Sequence, residues 1–345
     1  MKAVLWPYRF KNMHADWSRH LRWVTSALQK FGWTVVRHHE LLCTGLEDLS
    51  VYNLYKDTDA DLTIYNHADL GEIGESCLKS KMNWFLKPTV PDNLQCTLDT
   101  LGYGPYSSIT FDKPGYLDVT NQELIEFFST KVKTWVDSRV TKWVDAFKME
   151  KVQIAQRDYV LVLGQCDGDT VVTRMSFGSH VRKLEQLVRA LVTYTKSPIV
   201  VKLHPYMDGR QPKDDKFSAT VQSVLEKINA RVFVYRGQTS MHQFLPHAKV
   251  VLLENSGAGF EVMMHGKPII SWGWPEYHWV TYALKVLPEL SKALDLAWFN
   301  KEAQDKFLCW YMLKYCFFDA ESGIRRVKEL LKGTEYGALN AALER

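Results

Sequence analysis

The sequence predicts an α/β protein of two domains facing a cleft, the second of them a doubly wound parallel sheet. Three observations carry this. The chain has 345 residues, 46% hydrophobic and 24% charged, and at about 100–200 residues per domain it can bury two cores. From Tyr159 onward, short apolar stretches alternate with helical patterns, as in parallel strands covered on both faces by crossover helices. Glycine and polar residues gather after those strands, at the carboxyl ends where open parallel sheets bind ligands.

In chain order, Lys2–Trp6 is a short apolar strand, and Asp16–Lys30 sets Trp17, Leu21, Val24 and Leu28 at helical spacing. After the break at Gly32, Thr34–Arg37 is a second strand and Asp61–Tyr65 a third. Residues 87–115, rich in Pro, Gly, Asp and Thr, read as long loops with one strand at Ser108–Phe111. Asn121 reads as the N-cap of a helical pattern reaching Glu150, long enough to lead from the first domain to the second. Then come strand Tyr159–Gly164 and helix His180–Lys196, strand Ile199–Leu203 and helix Asp215–Asn229, strand Arg231–Tyr235 and a short helix from Ser240. Strand Lys249–Leu253, helix Gly257–His265 and strand Pro268–Trp272 close the series, with helices predicted at Val286–Phe299, Lys301–Phe318 and Glu321–Lys332. The domain boundaries follow: 1–150, 151–320, and a C-terminal helix and tail over 321–345.

Composition removes several classes of function. Lys+Arg 43 against Asp+Glu 39 gives a net charge of +4, too small a surplus to demand nucleic acid. The 12 Trp, 16 Tyr and 16 Phe first of all fill cores, and they also suit sugar faces. Arg9 and Lys11 interrupt the opening where a signal peptide needs its apolar region. No stretch approaches the roughly 20 apolar residues of a membrane span, and Phe307–Phe318 contains Lys314 and reads as a buried helix. A cytoplasmic protein, at most peripherally associated with a membrane, is expected. Cys43, Cys77, Cys96, Cys166, Cys309 and Cys316 are scattered without CxxC spacing, as free thiols in a reducing compartment. No HExxH occurs, and the tandem His38-His39 at a strand end points to opposite faces, so neither metal nor cofactor is expected.

Four loops follow the second-domain strands: 164–169, with Gln165, Asp167 and Asp169; 202–205, with Lys202, His204 and Pro205; 236–240, with Ser240; and 254–261. In the last, Ser256, Gly257 and Gly259 open a helix whose free amides and dipole suit a phosphate, or equally an N-cap with glycines for close helix-to-sheet packing. Glu261 in its first turn can accept ribose hydroxyls or simply favour the helix N-terminus. Pro205 holds His204 extended at a strand end beside Lys202, an arrangement suited to phosphate, although His-Pro also makes turns. Asp167 and Asp169 are candidate bases or nucleophiles, or caps of the next helix. Asp99 in the first domain is a candidate acid or base serving an acceptor. Within Trp272–Trp279, Trp274 or Tyr277 is expected to face the cleft and touch donor or acceptor, and Trp272 to fill core.

With these loops aligned, GQCDGDT at 164–170, KLHP at 202–205 and ENSGAGFEVMMHGKPIISWGWPEY at 254–277 resemble the bacterial capsule polysaccharide biosynthesis family, which includes the β-Kdo transferases. A weaker echo lies at Pro91–Gly104. Cys166-Asp167-Gly168 replaces a more acidic stretch, and Val262 stands where Ala is usual. The resemblance implies a GT-B fold with two Rossmann-like domains, the first on the acceptor side and the second binding a nucleotide-sugar. It further implies a CMP-activated sugar as co-substrate, no metal, and retention through an Asp nucleophile at Asp169. Gln165, Lys202, His204, Pro205, Ser240, Ser256, Gly257, Gly259 and Glu261 become donor-binding candidates, and the partner a glycan or glycolipid acceptor. An inverting GT-B enzyme using a UDP- or GDP-sugar, and a non-catalytic sugar-binding protein, are the competing expectations.

Overall fold

The computed structural model describes residues 1–6, 15–37, 60–66, 81–90, 94–141, 154–175, 178–207, 216–237, 239–332, 334 and 336. The expectations for Arg9, Lys11, His38, His39, Cys43 and Cys77 fall outside them. The chain divides into two compact units: Met1–Thr89 with Asn93–Asp112 and Trp310–Arg345, and Val90–Asp92 with Lys113–Cys309.

The first unit opens with β1 (Lys2–Trp6), α1 (Ala15–Lys30), β2 (Thr34–Arg37), β3 (Leu62–Asn66), β4 (Met82–Pro88) and β5 (Cys96–Asp99). The second contributes α2 (Asn121–Phe127), β6 (Tyr159–Leu163), α3 (Thr170–Met175), α4 (His180–Tyr194), β7 (Ile199–Lys202), α5 (Lys216–Glu226) and β8 (Val232–Tyr235). It continues with β9 (Ala248–Leu253), α6 (Gly259–Met264), β10 (Ile269–Ser271), β11 (Tyr282–Ala283), α7 (Leu290–Asp295) and α8 (Lys301–Trp310). The chain then returns to the first unit as β12 (Cys316–Phe317) and α9 (Ala320–Leu331).

In the first unit the strand order is β12-β5-β4-β3-β1-β2, with β1 to β4 parallel and β5 and β12 antiparallel at one edge. Val24, Ala27 and Leu28, at helical spacing on α1, meet Val327 and Leu331 of α9 and Leu62, Ile64 and Leu86 of the sheet in one apolar cluster. The chain therefore changes units near 112 and again near 310, where the sequence placed boundaries at 150 and 320. The reason lies at the sheet edge. Lys301–Phe318 is not one helix: α8 stops at Trp310, a π-helical turn spans Tyr311–Tyr315, and Cys316 and Phe317 pair with Thr97 and Cys96.

Ser108–Phe111 is likewise a helical turn and not a strand. Gly104 at φ 56° turns the chain, and the Asp99 carboxylate accepts the Ser108 amide at 3.0 Å, so the turn is capped by a residue nine positions upstream. One residue before the expected cap, Thr120 and Glu123 form a capping box on α2.

The second unit is an all-parallel sheet, β11-β10-β9-β6-β7-β8. Its central strands are largely apolar because helices cover both faces; every residue of β6, β7 and β10 is buried, Lys202 at the end of β7 included. Both units are Rossmann-like, and the fold is of the GT-B class.

Candidate functional site

Strand β6 lies between β7 and β9, so topology places the loops after these three strands side by side at the carboxyl edge of the second unit's sheet. Three aspartates were candidates for chemistry, and the structure treats them differently. Asp99, in the first unit, is fully buried and accepts from the amides of Leu101, Gly102 and Ser108, the Ser108 hydroxyl and the Tyr315 hydroxyl at 2.6–3.2 Å. That carboxylate anchors the loop that follows β5. Asp167 accepts from the Ser179 hydroxyl at 2.9 Å and the Val181 amide at 3.1 Å, capping the start of α4. Asp169 is exposed, with no side-chain hydrogen bond among the described residues. Its carbonyl accepts from Val172 and Thr173, so its backbone opens α3 while its carboxylate stays available.

His204 follows β7. Its Nδ1 accepts from the Tyr206 amide at 3.1 Å and lies 3.1 Å from Cys166 Sγ. With Nδ1 accepting, the neutral ring carries its proton on Nε2. Burial pushes its pKa down to about 4, Lys202 pushes the same way, and Asp169 pulls against both, so at neutral pH His204 is an uncharged Nε2–H donor. Pro205 begins the turn that returns the Met207 amide to the His204 carbonyl. Lys202 is 5% exposed, donates to the Leu203 carbonyl at 3.3 Å, and is lowered to about 8 by burial, with Glu261 opposing. Glu261, itself buried in the first turn of α6, thus partners Lys202 electrostatically.

Where β9 ends, the Ser256 hydroxyl accepts the Ala258 amide at 3.2 Å, and the space around Gly257 is open. Gly259 has a different reason to be glycine: a Cβ there would lie 2.2 Å from Tyr277 Cζ. Tyr277 is fully buried and donates its hydroxyl to the Ser256 carbonyl, which corrects its expected place at a cleft. A phenol whose hydroxyl finds a carbonyl inside the core has no reason to remain at the surface. Trp274 is the exposed ring, at 54%. Two further candidates are buried and hydrogen-bonded within the unit. Ser240 is buried and accepts the His242 amide at 3.3 Å, and Gln165 is 2% exposed with its amide paired to Asn255. Neither Gly164 nor Gly168 has a positive φ; a Cβ on Gly164 would lie 3.3 Å from Leu203 Cα, a tight approach to the chain that follows β7.

The model of the family described as "Capsule polysaccharide biosynthesis protein" matches residues 112–319, more than half of the chain and all four strand-end loops. The chain belongs to this family. Among solved structures, the capsule-family chain is similar to the β-Kdo 2,4 transferase of KpsC from Thermosulfurimonas dismutans, with 17% identity, 99% of this chain and 98% of that one covered, and a TM-score of 0.55. It is also similar to the β-Kdo 2,7 transferase of KpsC from that organism, with 16% identity, 95% and 98% covered, and a TM-score of 0.52. No curated protein matches the chain by sequence.

Sequence reasoning gave no role to His180, Lys183, Glu254 and Asn255, which the structure joins to the start of the Gln165–Asp169 loop. His180 and Glu254 are 0% exposed, and the signal available was a charged Glu closing an apolar strand, which a buried sheet end tolerates only with partners. Among the described residues no cluster of His, Cys, Asp and Glu is placed to hold a metal ion, and no helix is long and apolar enough to cross a membrane.

Proposed function

We propose that this capsule-family chain is a cytoplasmic glycosyltransferase that moves an acidic sugar, Kdo or a close relative, from a CMP donor onto a glycan or glycolipid acceptor. The observation that carries the reading is the meeting, at adjacent strand ends, of an unpaired carboxylate on Asp169, a neutral Nε2–H donor on His204 and a buried ammonium on Lys202. In the proposed reaction, Asp169 attacks the anomeric carbon, and the bond to the donor phosphate breaks with its electron pair leaving on CMP. The acceptor hydroxyl then displaces Asp169, which leaves as the carboxylate, and its proton passes to solvent water, so configuration is retained. Lys202, the His204 Nε2–H and the open amides at Ser256 and Gly257 supply the positive charge that a departing phosphate needs, without a metal. Glu261 is assigned to ribose hydroxyls, Pro205 to holding His204, and Trp274 to the acceptor.

Calorimetric titration with CMP, UDP, GDP and ADP tests the donor class, with CMP expected to bind best. Asp169→Asn should bind CMP as the wild type does yet lose nearly all transfer, and mass spectrometry of the wild type with donor alone should find the sugar on the peptide bearing Asp169. Preference for a different nucleotide overturns the donor; an inverted anomer in the product, or full activity in Asp169→Asn, overturns the covalent route.

A further inference from the structure

The Gln165–Asp169 loop is fastened at its first residue by groups to which the proposed reaction gives no role. The Gln165 amide donates to His180 Nε2 at 2.8 Å. A backbone amide only donates, so Nε2 must accept, and the ring proton sits on Nδ1, facing Glu254 Oε2. The other oxygen of Glu254 accepts from Lys183, whose side chain reaches solvent at 24% exposure while Glu254 is almost wholly buried. Trp272 lies beside the imidazole, with ring centroids 6.1 Å apart and 24° between planes. A Cβ on Gly273 would lie 2.6 Å from the Glu254 carbonyl oxygen, so the chain after β10 packs directly on this residue. Alongside runs a second link: the Gln165 side chain exchanges two hydrogen bonds with Asn255, at 3.1 and 3.0 Å, and Asn255 reaches the Val171 carbonyl at 2.8 Å.

We infer that His180, Glu254 and Lys183 are positioning residues that set the Gln165–Asp169 loop against the end of β9, by fixing one imidazole tautomer so that a lone pair meets the Gln165 amide. A buried carboxylate is costly without partners, and a hydrophobic side chain in its place would pack as well. This arrangement instead provides an acceptor at a defined point, four residues before Asp169. An imidazole with its proton on Nε2 would set two donors against each other there, and the loop would have to move. Displacements near 1 Å at a reacting group cost about a hundredfold in rate, so the register of this loop matters to any reaction at Asp169.

The inference rests on the donor-site reading only for its consequence in CMP binding, and the two are tested separately. His180→Gln keeps an acceptor where Nε2 stood, whereas His180→Phe fills the space without one. Hydrogen exchange of the peptide containing Gln165, in the full chain without nucleotide, should quicken about tenfold or more in His180→Phe and stay near the wild-type rate in His180→Gln. CMP affinity should follow the same order, falling about tenfold in the first and recovering in the second. Equal exchange in both variants, or wild-type exchange in His180→Phe, overturns the inference. If His180→Phe does not fold, Glu254→Gln decides in its place: the new amide can donate to Nδ1 and release the tautomer, so quickened exchange supports the inference and unchanged exchange overturns it. A wild-type chain that binds no CMP fails the donor reading alone, since the exchange result stands without it.

Discussion

Gly257 and Gly259 are two positions apart and answer to different neighbours. Gly259→Ala would drive a methyl into the buried Tyr277 ring; overpacking of this kind costs about 1–3 kcal/mol, to be read as a lowered urea midpoint. Gly257→Ala meets nothing within 4 Å and should leave that midpoint unchanged while weakening CMP, because its methyl enters the space proposed for phosphate. Asp167 and Asp169 separate in the same way. Asp167→Ala removes the acceptor of the Val181 amide and of the Ser179 hydroxyl at the start of α4, leaving Ser179 as the N-cap, and should cost about 0.5–2 kcal/mol of stability, whereas Asp169→Ala leaves stability in place. His204→Ala removes a donor to a charged group, about 1.5–3 kcal/mol or ten- to hundredfold in CMP affinity by calorimetry; an unchanged affinity refutes the assignment. The sequence placed Asp167 and Asp169 in one loop with one chemistry. What distinguishes them is Ser179, ten or more residues away, and no local pattern announces that contact.

Among the elements, three histidines of the second unit, one just after β7, one closing α6 and one in the turn His278–Val280, make stability depend on pH. Burial holds His204, His265 and His278 down to about 4, while an unfolded imidazole titrates near about 6.5. Between those values the unfolded chain binds more protons than the folded one. Stability therefore falls as the pH drops from about 6.5, and this contribution to the fall is complete below about 4. The melting temperature should follow that course, and the slope should shrink in His265→Asn. Lys202 acts at the other end: with about 8 in the fold against roughly 10.4 unfolded, its burial penalty is full below 8 and lifts as the pH rises through that interval. CMP affinity should decline over the same interval as the ammonium is lost, and an affinity flat up to pH 10 would remove Lys202 from the phosphate site. Periodicity made the parallel strands and their helices legible, because burial on both faces leaves continuous apolar runs. It failed at Ser108–Phe111, whose deciding partner Asp99 lies outside the segment's own pattern, and beyond Trp310, whose partner β5 lies far along the chain.

At the scale of the molecule, the fold class and the family could be read from three motifs in order at strand ends, because the sheet topology that gathers them is written as alternation. The boundary between units could not, since it depends on an antiparallel pairing between residues 96–97 and 316–317. Arg326 secures that return by donating to the Leu98 carbonyl at 2.8 and 3.0 Å, with its guanidinium over the Tyr315 ring at 4.7 Å. Burial raises the Tyr315 pKa well above its usual value, so its hydroxyl remains a donor to Asp99. Tyr315→Phe should therefore cost about 1–3 kcal/mol, seen as local hydrogen exchange around Leu101–Ser108 ahead of the second unit. The route of the backbone also dictates an order of events on the ribosome. Residues 113–309 emerge as an uninterrupted stretch holding, among the described residues, all six strands of their own sheet, whereas the sheet that contains β1 to β5 lacks its edge strand and covering helix until residues 316–331 have been made. Domains generally fold in the order they are synthesised. Here the unit that contains residues 1–112 should finish after the one that contains 113–309, staying sensitive to protease until residues 310–331 are out, and ribosome-bound chains that lack those residues should show a resistant core that begins only after residue 112.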